Sequence, residues 1–330
     1  MYLGEQLSTL DDTRLALAAQ LGVRHVALHA TGRSAAELAV SRPDGTWDGA
    51  RIRAVQSRLA GHGIALDVLS LDVEALWPAL LEGAPAAGSL LALAGQNIRT
   101  AGEAGVPCLK YRIQPIGVVR TGRAAGRGGA RYSAFDVTAW TDDAPTAAGK
   151  VTDERMWDEI TRFLETVVPV AERAGVRLAG HPQDAPLPPG GLKGIPHVLG
   201  SVAALDRFLS ITPSAVHGLN FCQGTVAEMF DDPGREVPAA IRHFGARGKI
   251  FMVHFRNIRG RRHHFVEVYP DEGDVDMLAA MRAYAEVGYE GMFCPDHVPQ
   301  SDADPDRERQ FAYCLGYTRA LIQAVRAAQA

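Results

Sequence analysis

A repeated pattern of an amphipathic run, a glycine and a short apolar run constrains the fold of this chain more than any other feature. It occurs in LAAQLGVRHVALHA, RLAGHGIALDVLS, RTAGEAGVPCLKYRI, VAERAGVRLAGH and YAEVGYEGMFCPDH. The glycines stand where a helix-ending residue adopts positive φ, and they are Gly22, Gly63, Gly105, Gly175 and Gly288. Because each following run has the length and composition of a strand, repeated helix–glycine–strand units indicate a parallel sheet.

The repeat predicts eight strands separated by helices. We expect strands near residues 2–7, 23–29, 64–70, 107–113, 176–181, 216–222, 249–255 and 291–296. We expect helices near residues 10–21, 49–61, 90–104, 153–174, 201–209, 235–246, 274–287 and 305–327. Eight such units in 330 residues favour a closed (β/α)8 TIM barrel over an open doubly wound sheet. No domain boundary is visible, so we predict a single TIM-barrel domain over residues 1–330.

The segment at about 114–150 departs from this repeat. It follows the fourth predicted strand and contains four arginines, Arg120, Arg123, Arg127 and Arg131. A floppy insertion is one interpretation, since long loops in compact domains are either functional or disordered. The aromatic residues Tyr132, Phe135 and Trp140 among the arginines favour an ordered active-site loop.

Composition and charge exclude several classes of partner. A net charge of −4 disfavours nucleic acid held by phosphate contacts, and four arginines in one loop suit a small anion better than a duplex. The longest apolar stretches, such as residues 84–94, are too short to span a membrane. The beginning of the chain has neither the basic nor the apolar region of a secretory signal. Four widely spaced cysteines do not form a disulfide framework, so we expect a cytoplasmic location.

Four consecutive predicted strands end on residue types that bind transition metals. These strand ends are His181, Cys222, His254 and Asp296. Taken singly, a buried cysteine is usually a small packing residue and an aspartate after a strand is often a helix cap. In a barrel, however, the carboxyl ends of the strands converge on one mouth. Two imidazoles, a thiolate and a carboxylate predict a site for Mn²⁺, Fe²⁺ or Co²⁺ rather than for Ca²⁺.

The motif series identifies a resemblance to a known family. KYRIQPIGVVRTGR, GHPQDAP, NFCQGT, VHFRNIRG, DEGDVDM and CPDHVPQ occur in the order of the corresponding motifs of the mannonate dehydratases, over roughly residues 95–300. Those enzymes belong to the xylose-isomerase-like TIM barrels and convert D-mannonate to 2-keto-3-deoxy-D-gluconate and water with Mn²⁺ or a similar ion. The resemblance implies a hydro-lyase whose metal ligands are His181, Cys222, His254 and Asp296.

The resemblance also implies which residues transfer protons. His297 and a tyrosine near the last helix correspond to the acid/base pair, and we predict Tyr313, with Tyr317 as the alternative. Ordinary helix packing explains Tyr313 equally well. Pro295 indicates that the last strand ends before His297, which leaves this side chain free to face the mouth without binding the metal. At neutral pH a histidine there can accept the C2 proton or deliver one.

Substrate contacts are predicted from the same motifs. Arg120 and Arg256 are candidate clamps for the carboxylate or hydroxyl groups of a sugar acid, because a guanidinium offers two parallel donors. Asn257 has two interpretations, a bond to the substrate or a bond to its own loop. A homo-oligomer is compatible with the sequence.

One segment and two single positions depart from the family pattern and leave the identity of the substrate open. MYLGEQL stands where the family has an RWFG-like motif, and Val266 and Pro270 stand where histidine is common, while Glu267 remains. An alternative function is therefore an isomerase, epimerase or lyase of the same barrel group acting on another sugar acid or keto-sugar. The third hypothesis is a non-catalytic metal-binding or scaffold protein. It is disfavoured because it leaves His297 and the loop at 114–150 without a role.

Overall fold

A computed structural model describes residues 1–29 and 40–329 and confirms the closed eight-stranded barrel. The twelve strands in these ranges are β1 (Tyr2–Leu7), β2 (His25–Leu28), β3 (Ala65–Ser70), β4 (Cys108–Arg112), β5 (Gly122–Ala125), β6 (Arg131–Asp136), β7 (Arg177–His181), β8 (His217–Cys222), β9 (Ile250–His254), β10 (Asn257–Arg261), β11 (His264–Val268) and β12 (Met292–Cys294). Eight of them close the barrel in the order β1-β12-β9-β8-β7-β4-β3-β2, and every pair in it is parallel. All eight predicted strands coincide with barrel strands.

Helices surround the barrel between the strands. In the described ranges they are α1 (Asp12–Gln20), α2 (Gly49–Gly61), α3 (Leu76–Glu82), α4 (Ala87–Glu103), α5 (Asp153–Ala174), α6 (Val202–Ile211), α7 (Gln223–Ala227), α8 (Pro233–Gly245), α9 (Met277–Glu286) and α10 (Glu308–Ala327). The short helices α3 and α7 were not predicted. None of the described helices is both long and apolar enough to cross a bilayer.

Helix α5 shows how the sequence sets these elements. Thr152 begins the helix by accepting a hydrogen bond from the backbone N–H of Arg155, and Gly175 ends it at φ 66°. Ile160, Phe163 and many other apolar residues repeat at helical spacing and are buried against the barrel and α4. Each large side chain buried in this way stabilises the fold by about 1.5–3 kcal/mol.

Alternation along β4 separates the two sides of the barrel wall. Leu109 and Tyr111 belong to the large core between strands and helices, where the Tyr111 ring lies 5.2 Å from that of Phe163. Cys108 belongs to a smaller cluster of apolar side chains inside the barrel. Because successive side chains point to opposite faces, Lys110 faces the barrel interior as Cys108 does, two residues nearer the carboxyl end of the strand.

The segment at 114–150 contributes half of a second sheet. Strands β5 and β6 form an antiparallel hairpin, and β6 pairs with the β10–β11 hairpin that follows barrel strand β9. The resulting sheet has the order β10-β11-β6-β5, and we call it the cap sheet. It is fastened to the segment after β12, since Arg131 and Gln300 exchange two backbone hydrogen bonds. The segments that follow barrel strands β4 and β9 are thereby joined at the carboxyl ends of the barrel strands.

Candidate active site

The four predicted metal-binding side chains lie together at the carboxyl ends of their strands. One ligand atom from each of His181, Cys222, His254 and Asp296 lies within 4.8 Å of all the others. The first three residues end β7, β8 and β9, while Asp296 lies two residues beyond the end of β12. The His181 and His254 rings are 5.3 Å apart at their centroids. We call this group the four-ligand cluster.

His181 is oriented by its neighbour. Its Nδ1 lies 2.6 Å from the carbonyl oxygen of Pro182, and because a carbonyl only accepts, Nδ1 carries the proton and donates. The lone pair is then on Nε2, which suits metal binding. Burial lowers the pKa of His181 to about 4, although Asp296 acts in the opposite direction, so this imidazole is neutral at physiological pH.

His254 and Asn220 together contain two unsatisfied buried atoms. Neither His254 Nδ1 nor Asn220 Oδ1 has a hydrogen-bond partner, while the amide nitrogen of Asn220 lies 3.2 Å from His254 Nε2. Turning the Asn220 amide over lets Oδ1 accept from Nε2–H and leaves the lone pair on Nδ1. That nitrogen lies 3.3 Å from Asp296 Oδ2, inside the four-ligand cluster. A cation bound between His254 Nδ1 and Asp296 Oδ2 would give both of these atoms a partner.

Electrostatics favour the anionic forms of the other two ligands. Burial alone raises the pKa of the Cys222 thiol, but the nearby Arg256 and His254 more than offset it, so the pKa is lowered. Burial likewise acts against ionised Asp296, yet His254, His297 and Arg256 hold its pKa well below the usual range. Two imidazoles, a thiolate and a carboxylate are a donor set for a divalent transition metal, so these residues fit such an ion.

His297 lies beside the four-ligand cluster and is held by a carboxylate. Its Nδ1 is 2.6 Å from Glu267 Oε1, and its Nε2 is 3.5 Å from Asp296 Oδ2. Burial lowers the pKa of His297, but Asp296 and Glu267 outweigh it and raise the pKa to about 10. Strand β12 ends at Cys294, as Pro295 predicted, and His297 therefore follows the strand without continuing its alternation.

Glu267 belongs to a buried network of charges behind His297. Arg256 contacts Glu228 and Asp184, each at 2.9 Å, and Arg120 contacts Asp184 and Glu267. Burial and the nearby Asp184 raise the pKa of Glu228 well above its usual range, which favours its neutral form. Two guanidinium groups then balance the carboxylates of Asp184 and Glu267. This balance fixes the position of Glu267 and, through it, of His297.

A cavity of about 440 Å³ opens from the four-ligand cluster to the opposite wall of the barrel. This volume is ordinary for a small-molecule site. Its lining includes three ligands of the cluster, His181, His254 and Asp296, together with His297. Its other wall comes from β1 to β4 and carries Gln6, His29, Ser70, Lys110 and Arg112. The sequence analysis did not select any residue of this second wall.

The predicted substrate contacts are occupied within the protein. Arg120 and Arg256 lie behind the cavity lining, and their guanidinium groups are engaged by the buried carboxylates. Asn257 donates to the carbonyl oxygens of Pro270 and Val275, which corresponds to the second of its two interpretations. These contacts favour a role in positioning over direct substrate binding, because few donors of these side chains remain free.

The four loop arginines likewise have protein partners. Arg123 contacts Gln300, Arg127 pairs with Asp271, and Arg131 pairs with Asp302. They therefore fasten the cap sheet to its surroundings. Within the segment 114–150, only Gln114 and Val118 contribute to the described lining of the cavity.

The predicted tyrosines do not reach the cavity. Tyr313 is 40% exposed, and its ring packs against Tyr269 and beneath the guanidinium of Arg127. Tyr317 stacks beside Tyr313 at a centroid distance of 6.3 Å and packs on the core. Neither is part of the described lining. Packing of α10 against the cap-sheet side accounts for the position of both tyrosines, and their role in proton transfer stays a prediction.

Comparisons with known proteins give a consistent result. The family model described as D-mannonate dehydratase (UxuA) matches residues 146–328. A mannonate dehydratase 2 of Halalkalibacterium halodurans is 27% identical over 282 residues, which cover 77% of this chain and 79% of that protein. A mannonate dehydratase of Enterococcus faecalis is 28% identical over 291 residues, with the same coverage of each chain.

Solved structures share the fold. A mannonate dehydratase from Streptococcus suis serotype 2 superposes with a TM-score of 0.85 at 23% identity, covering 100% of this chain and 95% of that one. A D-tagatose 3-epimerase-like protein superposes with a TM-score of 0.64 at 14% identity, covering both chains completely. At these identities the superpositions establish the barrel architecture alone.

Proposed function

The chain belongs to the D-mannonate dehydratase family, and we propose that it is a hydro-lyase that converts D-mannonate to 2-keto-3-deoxy-D-gluconate and water. The observation that carries this proposal is the juxtaposition of the four-ligand cluster and His297 in one cavity. Dehydration of a 2,3-dihydroxy acid requires both a cation near the carboxylate and a group that moves a proton.

The cation proposed is Mn²⁺, with Fe²⁺ or Co²⁺ as alternatives, held by His181, Cys222, His254 and Asp296. Such an ion, when bound, supplies a Lewis acid that increases the acidity of the C2 proton. The donor set of two imidazoles, a thiolate and a carboxylate supports a borderline ion over Ca²⁺, which prefers oxygen ligands.

His297 is the proposed proton-transfer residue. Its contact through Nδ1 with Glu267 supports Nε2 as the atom that exchanges protons with the substrate. Loss of a proton from C2 and of hydroxide from C3 leaves an enol, which becomes the 2-keto acid by tautomerisation. Because the raised pKa keeps His297 protonated at neutral pH, the proposed role of Nε2 is to give its proton to the leaving hydroxyl group. Glu267 keeps the imidazole oriented through this exchange, as carboxylates commonly do for catalytic histidines.

A direct assay tests this function. Purified protein loaded with Mn²⁺ is incubated with D-mannonate, and the 2-keto-3-deoxy acid is identified by mass spectrometry and by its reaction with semicarbazide. We expect a product that has lost one water, and we expect none from His181→Ala, which removes a proposed metal ligand. A product of unchanged mass would instead indicate the alternative, an epimerase or isomerase. Absence of any product from D-mannonate would refute the proposed substrate.

A further inference from the structure

Lys110 is a buried ammonium group in the cavity wall, on the strand next to the one that carries His181. It is only 6% exposed, and it lies on β4 beside Ser70 of β3 and Ala179 of β7. Its neighbours Leu109 and Tyr111 point outward into the core, so its side chain points into the barrel. Lys110 lines the same cavity as His181, His254 and Asp296.

The contacts of Lys110 leave its charge without a direct counterion. In residues 1–29 and 40–329, its one hydrogen-bonding side-chain partner is the neutral amide oxygen of Gln6, and no carboxylate lies within ion-pair distance. Burial lowers the pKa of Lys110 to about 8, while the more distant Asp296 acts to raise it. An ammonium has three donors, so at least two face the cavity or lack a strong acceptor. A buried cation in this state costs stability unless a ligand supplies an anion.

The other cations of the cavity differ from Lys110. Arg14 is paired with Glu5 and Arg112 with Glu74, so each already has a carboxylate partner. Arg307 is exposed at the rim. Lys110 is therefore the described cavity cation that is both buried and without a carboxylate in contact.

We propose that Lys110 selects an acid over a neutral sugar, because its ammonium group binds a carboxylate oxygen of the substrate beside the four-ligand cluster. This inference rests on the proposed function and deepens it. A divalent ion in the cluster would cancel the negative charges of Cys222 and Asp296, which are among the more distant groups that favour a charged Lys110. The substrate carboxylate then becomes the anion that balances Lys110. Gln6 holds the ammonium in place, since its amide oxygen occupies one donor.

The test compares binding of an acid and of a neutral polyol of equal carbon number. Calorimetric titrations of the Mn²⁺-loaded protein with D-mannonate and with D-mannitol are carried out in a His297→Asn background, which suppresses turnover, with Lys110 as in wild type or replaced in Lys110→Met and Lys110→Gln. Methionine keeps the length without the charge, and glutamine keeps a donor, so a packing defect in one variant does not decide the outcome. Lys150→Met is the matched control, because Lys150 is exposed and outside the cavity.

We expect both Lys110 variants to lose affinity for D-mannonate by roughly 10- to 100-fold, the range for a charge-assisted hydrogen bond. Affinity for D-mannitol, manganese content and circular dichroism should remain as in wild type, and Lys150→Met should bind both ligands normally. Unchanged D-mannonate affinity in the Lys110 variants would overturn the inference. An equal loss of D-mannitol binding, or a loss of manganese, would also overturn it, since either indicates a general structural role.

The two proposals fail in different ways. If wild type binds D-mannonate more tightly than D-mannitol but forms no dehydrated product, the proposed reaction is wrong, and the Lys110 variants still decide the role of Lys110. If wild type forms the product but the Lys110 variants bind D-mannonate normally, the reaction stands and the inference about Lys110 is wrong. If wild type shows no preference for the acid, selection by Lys110 is refuted.

Discussion

Replacement of Arg256 by methionine separates a structural role from the substrate-binding role that the sequence predicted. The Arg256 side chain is 3% exposed and contacts Asp184 and Glu228, each at 2.9 Å. Arg256→Met removes one of the two guanidinium groups that face Asp184, Glu228 and Glu267, so Arg120 alone faces these buried carboxylates. An unpaired buried charge of this kind costs about 3–5 kcal/mol. We therefore expect the free energy of unfolding to fall by about that amount.

The sign of the pH dependence follows from Asp184. Burial acts to raise its pKa, but Arg120 and Arg256 outweigh it, and the pKa in the folded protein is lowered. In wild type this carboxylate contributes stability above its unfolded pKa of about 4, and the contribution is lost only as the pH falls towards the folded pKa. In Arg256→Met one of the two arginines that lower the pKa of Asp184 is absent, so this pKa rises in the folded protein. Protonation of Asp184 at lower pH then removes the excess negative charge. The destabilisation should therefore be smaller at pH 5 than at pH 7.5.

Guanidinium unfolding of metal-free protein, followed by circular dichroism, measures this effect at both pH values. Arg242→Met is a matched control, because its ion pair with Glu286 is on the surface, where such pairs contribute about 0–1 kcal/mol. If Arg256→Met is as stable as wild type at pH 7.5 but its KM for D-mannonate rises, the buried network is not the reason for Arg256. The original prediction of a substrate clamp would then be correct.

Further variants address the metal ligands and proton transfer. Cys222→Ser and His254→Ala should each lose bound metal by elemental analysis of protein never exposed to chelator, whereas Cys314→Ser, outside the cluster, should retain it; full retention in the first two would refute the ligand assignment. His297→Asn should keep metal and fold and lose turnover by on the order of a hundredfold or more, and loss of metal would make His297 a ligand instead. Tyr313→Phe should retain turnover within about twofold of wild type, since substitutions away from such features have small effects; a hundredfold loss would restore its predicted role.

The barrel was predictable because its signals are local. Five helices end at or near a glycine such as Gly175, whose φ of 66° few other residues adopt readily, and an apolar strand follows within a few residues. Once eight such units are counted, barrel geometry brings distant strand ends to one mouth. The proximity of His181 and Asp296, which are far apart in sequence, followed from that geometry without any local motif.

The cap sheet could not be predicted in the same way. Its strands are short and largely polar or small, as in GRAA of β5 and NIRGR of β10, and they lack the apolar alternation that indicates a strand. Pairing of β6 with β11 joins segments more than a hundred residues apart, with Phe135 opposite Phe265. Such a strand pairing depends on tertiary packing, which the periodicity of the sequence does not reveal.

The orientation of single side chains was the other limit. The last helix was predicted near residues 305–327 and found at Glu308–Ala327, but its pattern does not reveal which face meets the mouth. Tyr313 lies on the face that meets Arg127 and Tyr269. Lys110 could have been selected as a site residue from the sequence. A lysine in the middle of an otherwise buried strand is uncommon unless a ligand or a partner requires it.

The position of the cap sheet has a consequence for the route by which a ligand enters. No residue of its four strands is part of the described cavity lining, and its two hairpins are fastened to each other and to Gln300. The cavity is instead bordered by the segments after β1 and β3, including Thr9 and Glu74, and by the start of α10. In the described part of the chain, these segments and not the cap sheet therefore border the opening through which a small molecule would enter. Changes in the length of those bordering segments would alter the size of ligand admitted while leaving the four-ligand cluster and His297 undisturbed.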